Sequence, residues 1–259
     1  MYRLGNYIPA KSLIHRLDPR VKIMSVISLS ITVLFAAPFG ALLISLFLAA
    51  SLPLAGISPR RLWQALAPVR PFLLLLLLLH MLGTGGEPLP PFPIWKITVT
   101  AEGIATGFII AWRFGLLVTA AAVLTITTSP SELVAGLQKL LKPLGKIGVP
   151  VRDLTTMVSL ALRFVPTLLA EVDRMKDAQL ARGGSITAGK ISGRLRAARS
   201  LVLPVVLNSF KRADELAVAM EARAYGAGPG TSMMELSIGK LDVAASSLVA
   251  MVSLLAPIL

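Results

Sequence analysis

Five apolar runs of nearly membrane-crossing length recur along this 259-residue chain, and an ordinary globular domain has no interior large enough to hide them all. They cover residues 21–37 ("VKIMSVISLSITVLFAA"), 39–57 ("FGALLISLFLAASLPLAGI"), 66–83 around "PFLLLLLLLHMLG", 103–127 ("GIATGFIIAWRFGLLVTAAAVLTIT") and 241–259. A spanning helix needs about 20 predominantly apolar residues, fewer where protein or interface covers its ends. With 55% hydrophobic and 15% charged residues and a mean hydropathy of +0.76, the composition matches that reading. The expected class is an all-α, multi-pass membrane protein with about five transmembrane helices. The first run begins only near Ile23 and a second follows a short "APFG" break, so the start reads as an uncleaved span.

The net charge of +13 would point a soluble domain toward nucleic acid, but no folded basic domain with interleaved aromatics is present. Cytoplasmic loop charge explains the balance. Lys11, Arg16, Arg20 and Lys22 precede the first run, Arg60, Arg61 and Arg70 lie between the second and third, and only Lys96 separates the third from the fourth. The positive-inside rule puts the N-terminus in the cytoplasm, the 84–101 loop outside and the region after Thr128 inside. The absence of cysteine excludes disulfides, thiolate metal sites and a cysteine nucleophile.

The expected organisation is a membrane domain over 1–128, a cytoplasmic domain over 129–240 and a final span over 241–259. The middle region holds 16 of the 26 basic residues. Its apolar stretches at 154–169 and 201–207 are interrupted by Arg163 and Pro166 and by Pro204, and a central arginine costs about 2.5–3.5 kcal/mol on insertion scales. Both are read as interfacial or protein-buried helix. Three helices are predicted here. Ser129, Pro130 and Glu132 form a capping-box start, with Leu133, Leu137, Leu140, Leu141 and Leu144 on one face. A second helix runs from about Val151 to Arg182 and stops at Gly183-Gly184, and a third from about Ala188 to Tyr225 before "GAGPG". These two are rods of roughly 45–55 Å.

Their ends repeat. A shift of 41 residues superposes Arg223 on Arg182, Ala222 on Ala181, Ala219 on Ala178 and Asp214 on Asp173, with Ala224 opposite Gly183. One such arginine is explained by the helix dipole, which favours a cation at a C-terminus. Two matching ends suit a docking function, because small neighbours let a groove close round the tip and a guanidinium binds carboxylates with two prongs.

The segments "YIPAKSLIHRLDPRVK" (7–22), "TTSPSELV" (127–134), "ARG" (181–183) and "EARAYG" (221–226) together resemble the transmembrane T component of energy-coupling factor (ECF) transporters, the EcfT/CbiQ family, over essentially the whole chain. The resemblance implies a non-catalytic subunit of the prokaryotic cell membrane. Two ABC-type ATPases would seat the motifs Ala181-Arg182-Gly183 and Ala222-Arg223-Ala224 in their grooves, and a separate membrane-embedded S component would bind the vitamin or micronutrient. It implies no cofactor in this chain, with ATP and Mg on the ATPases. The second motif departs from Ala-Arg-Gly by one methyl at Ala224. A dedicated cobalt or nickel importer is the alternative within transport, and a basic membrane scaffold the alternative outside it.

The remaining polar residues read as structural. Asp18-Pro19 is a helix start, and Arg16, Arg20 and Lys22 suit an anionic leaflet. His15 and His80 have no carboxylate at ligand spacing, so neither a metal site nor a hydrolytic dyad is expected. "GTGGEP" (83–88) lacks the lysine and hydroxyl residue of a phosphate loop. Arg113, inside the fourth run, faces other protein and has no partner identifiable from sequence.

Overall fold

The computed structural model describes residues 7, 10, 12–85, 100–182, 191–228 and 236–258, with backbone alone for 191–201. Among these are nine α-helices: α1 Pro19–Phe35, α2 Pro38–Ala55, α3 Pro59–Leu66, α4 Arg70–Gly83, α5 Ala101–Thr127, α6 Pro130–Leu141, α7 Val151–Ala181, α8 Ile191–Ala222 and α9 Lys240–Leu255. They pack as two units, one holding α1–α6 with α9 and the other α7 with α8.

Proline punctuates the first unit. Pro19, Pro38, Pro59 and Pro130 each open a helix, where the missing N–H is no loss and the ring presets the backbone angle. The predicted starts are present: Asp18 accepts from the Arg20 N–H at 2.9 Å. Ser129 and Glu132 form the reciprocal capping box.

The core of this unit joins Leu29, Val33 and Ala36 of the α1 segment, Ala41, Ile44 and Leu48 of α2, Leu116 and Ala120 of α5, and Val249, Val252 and Ala256 of the α9 segment. Close approaches depend on glycine. A methyl at Gly40 would collide with the Ala256 carbonyl, and one at Gly136 of α6 would come within 2.9 Å of Pro19 Cβ. Gly103 and Gly107 present a four-residue repeat of small side chains on α5, where an added Cβ would lie 2.7 Å from the His80 carbonyl and 3.1 Å from that of Leu77. Such a repeat lets α4 and α5 meet backbone to backbone. Leu74, Leu75, Leu78, Leu79 and Leu82 of α4 point outward, Leu74 and Leu79 being 61% and 62% exposed, as lipid-facing side chains must be.

Two polar devices tie this apolar unit together. Arg113 of α5 donates to the Ala36 carbonyl at 2.6 Å and the Leu34 carbonyl at 3.4 Å, satisfying orphan groups at the end of α1. That supplies its partner. At the other end of α1, Asp242 accepts from the Asp18 N–H at 2.7 Å and the Gly239 N–H at 2.8 Å, while Arg20 binds both Asp18 carboxylate oxygens and the Leu236 carbonyl. Lys22 donates to the carbonyls of His15 and Thr127 at 3.2 Å each. The "HRLDPRVK" segment is thus a clasp onto the start of α9. Burial raises the Asp18 carboxyl, but the Arg20 guanidinium and N–H, with the Lys22 charge, outweigh it and leave the group below its ordinary value.

Four described helical segments are long and apolar enough to cross a membrane: Pro38–Ala55, Pro59–Gly83, Ala101–Thr127 and Val151–Ala181. The count differs in composition from the five expected runs. The helices at the first and last runs have 17 and 16 residues, about 25 Å at 1.5 Å per residue against a core of about 30 Å. Val151–Ala181 qualifies on its 31 residues and on an 18-residue stretch of mean hydropathy 1.3, its apolar character diluted but not broken by Arg163 and Pro166.

Candidate functional site

The second unit is an antiparallel pair of rods. Helices α7 and α8 have 31 and 32 residues, each continuous through an internal proline, Pro166 or Pro204. At 1.5 Å per residue each is about 46–48 Å long. Contacts descend along one rod as they ascend along the other. Arg152 near the start of α7 donates to the Gly228 carbonyl at 2.8 Å, and the Tyr225 hydroxyl donates to Thr156 Oγ1 at 3.0 Å. Further along, Glu171 accepts from Asn208 at 2.8 Å and pairs with Arg212 at 3.4 Å. Between these levels Met157, Leu160, Phe164 and Leu168 of α7 face Ala213, Leu216, Ala217 and Met220 of α8 across an apolar groove.

The predicted arginines occupy the same place on both rods. Helix α7 ends at Ala181 and Arg182 is its C-cap, with φ −86 and ψ 11 and its N–H directed at the Ala178 and Gln179 carbonyls. Helix α8 ends at Ala222, and Arg223 follows it in the corresponding position. The end of α8 is a Schellman closure: the Tyr225 N–H reaches the Met220 carbonyl at 2.9 Å, and the Ala224 N–H reaches that of Glu221 at 2.9 Å.

That closure requires a left-handed residue at 224. Ala224 supplies it with φ 56, although glycine is the usual occupant. The extra methyl relative to Ala-Arg-Gly is therefore a matter of backbone strain as well as groove width. Gly183, its counterpart, lies outside the described residues, as do Gly184 and residues 188–190 of the predicted third helix.

Ala181, Arg182, Ala222, Arg223 and Ala224 are all exposed. No described carboxylate lies within ion-pair distance of either guanidinium, while the lesser pairs Lys176–Asp173 and Arg212–Glu171 are made. Each arginine also sits where its own helix dipole is negative. Among the described residues the two guanidinium groups are thus without a carboxylate partner, at opposite ends of the antiparallel pair. With Tyr225 level with Thr156, Arg182 is displaced along the pair by roughly 35–40 Å at 1.5 Å per residue. Antiparallel packing is the feature that sequence reasoning missed, for a helix hairpin leaves no residue signature of its crossing. No group of three described His, Asp or Glu side chains is placed to hold a metal ion.

Comparison with known proteins supplies the context. The profile of the CbiQ family, described as cobalt transport protein, matches residues 10–235. The chain is 42% identical over 242 residues to the energy-coupling factor transporter transmembrane protein EcfT of Acidaminococcus fermentans, covering 92% of this chain and 89% of that one. It is 39% identical over 246 residues to the protein of that name from Clostridium kluyveri, covering 94% and 91%. Against its namesake in Bacillus subtilis it is 39% identical over 228 residues, covering 88% and 86%.

Proposed function

The chain belongs to the CbiQ family, and from that premise we propose that it is the transmembrane coupling subunit of an energy-coupling factor importer, passing ATP-driven motion from two cytosolic ATPases to a substrate-binding S component. One observation carries the reading: the same residue, arginine, caps both rods of an antiparallel pair, so that one motif is offered twice at well-separated ends. A dimeric motor has two matching sockets, and each needs a positioned cation with room around it. Ala181, Gly183, Ala222 and Ala224 leave that room.

The work of this chain is mechanical. ATP and Mg reside on the ATPases; closing of the ATPase dimer draws each arginine with its groove, and the rods carry that displacement along their length. The receiving surface is apolar. Leu154 and Met157 of α7 and Leu207 and Phe210 of α8 are exposed by 51%, 64%, 59% and 66%, a coat that suits contact with membrane-embedded protein more than water. The basic N-terminal segment and Arg60 and Arg61 of α3 support a cytoplasmic N-terminus in a prokaryotic cell membrane, and the ATPase-docking reading puts the rod ends on that same side. No catalytic residue is assigned to this chain. Affinity purification of the full chain from its native membrane tests the assembly: two ABC-type ATPases and a small membrane protein should accompany it. Recovery of the chain without ATPases would contradict the reading, and the identity of the small protein separates vitamin from metal-ion transport.

A further inference from the structure

The spacing of 41 that superposes the two arginines also carries Glu171 onto Arg212 and Leu168 onto Ser209. These equivalent positions are neighbours in space. Arg212 Nη2 lies 3.4 Å from Glu171 Oε2, and Leu168 and Ser209 line the same groove. When two antiparallel rods are related by a local two-fold axis, equivalent positions touch only where that axis passes; elsewhere they are separated along the rods by twice their distance from it. The axis therefore runs beside Glu171 and Arg212. Arg182 lies eleven residues beyond Glu171 and Arg223 eleven beyond Arg212, equal arms of about 16 Å at 1.5 Å per residue.

We propose that the Glu171–Arg212 pair is the fulcrum of the two rods, a positioning contact on their local two-fold axis that holds both arginine tips at equal reach. This rests on the docking reading of Arg182 and Arg223. The surroundings suit the role. Asn208 engages the second Glu171 oxygen, so both carboxylate oxygens are held. The Glu171 side chain is 18% exposed against 40% for Asp173 in the Lys176 pair, and a less hydrated pair is screened less by water and salt. Arg212 Nη1 is buried without a partner among the described residues, so the guanidinium meets the carboxylate through one nitrogen and Asn208 holds the other oxygen beside the axis. A directional ion pair fixes sliding register where the leucines around it would tolerate slippage. Turning about this point moves the two tips by equal amounts in opposite senses, as a two-fold motor requires.

The symmetry supplies its own test. Exchange of the two charges, Glu171→Arg with Arg212→Glu, rebuilds the bridge across the same axis, with Thr167 standing 41 residues before Asn208. Substrate uptake, ATP hydrolysis and ATPase retention are to be measured in the reconstituted complex for both single variants and the exchange. Each single variant should lower uptake by at least about tenfold, the exchange should recover most of it, and ATP hydrolysis in the single variants should persist uncoupled. Unchanged uptake in the single variants, or an exchange as deficient as they are, overturns the proposal. Where a single variant loses the ATPases altogether, recovery by the exchange still decides. Failure of the docking reading is separate, since it shows as full ATPase retention when Arg182 and Arg223 are removed.

Discussion

The Tyr225 hydroxyl stands 3.0 Å from Thr156 Oγ1, fastening the residue two positions past Arg223 to the early turns of the opposite rod. The Arg152 guanidinium lies 5.3 Å over the same ring and donates to the Gly228 carbonyl. One arginine tip is thereby braced on its own scaffold, which lowers the cost of ordering it on binding. Arg152→Ala removes the cation–π contact and a hydrogen bond, together about 1–2 kcal/mol of local stability. Amide hydrogen exchange over 220–228 should accelerate several-fold while the first unit is unaffected. Unchanged exchange would show that the brace contributes nothing.

Ala224 holds φ 56, a region that glycine occupies freely and alanine does not. Ala224→Gly should relieve about 1 kcal/mol of strain, offset in part by the greater freedom of glycine in the unfolded chain. Exchange at the end of α8 should slow or stay level, and ATPase retention should persist, since the other tip is Ala181-Arg182-Gly183. A loss of retention would mean that the methyl itself contacts the socket.

Arg113 binds the Ala36 and Leu34 carbonyls at the end of α1. Arg113→Leu would leave those groups without partners in an apolar setting, at a cost of about 1–3 kcal/mol. Thermal unfolding in detergent should fall by a few degrees, about 2–4 °C per kcal/mol for a chain of this size. An unshifted midpoint would mean that other donors serve those carbonyls.

The Asp18 carboxyl is held below its ordinary value in the folded chain. A depressed acid contributes stability that is complete above the unfolded value of about 3.9 and is lost as pH falls through the folded one. Unfolding midpoints should therefore be level near neutrality and drop on the acid side, and Asp18→Asn should lower the neutral plateau while flattening that acid limb. An unchanged acid limb in the variant would remove Asp18 from the clasp's energetics.

Local signals carried most of the fold to this point. Asp18-Pro19 and Ser129-Pro130 with Glu132 mark helix starts by chemistry acting within four residues, and the apolar runs mark the bundle by length. The rod ends at Arg182 and Arg223 were legible because small residues and glycine stop a helix locally. What the chain concealed is long-range. Asp242 reaches Asp18 across 224 positions, and Arg113 binds main-chain carbonyls that every residue type possesses. The direction of α8 along α7 is a long-range property, so the 41-residue spacing that relates Arg182 to Arg223 does not reveal that Glu171 and Arg212 touch. Gly103 and Gly107 were readable as a four-residue glycine spacing, the signal of close helix approach in a membrane.

The most direct measurement is ATPase retention and substrate uptake after removal of the two tips in the full complex. An interfacial arginine that loses its partner costs about 2–5 kcal/mol, so Arg182→Ala and Arg223→Ala should each weaken retention or uncouple hydrolysis from uptake, and the double variant should abolish uptake. A double variant that still retained both ATPases and transported at the parental rate would contradict the account.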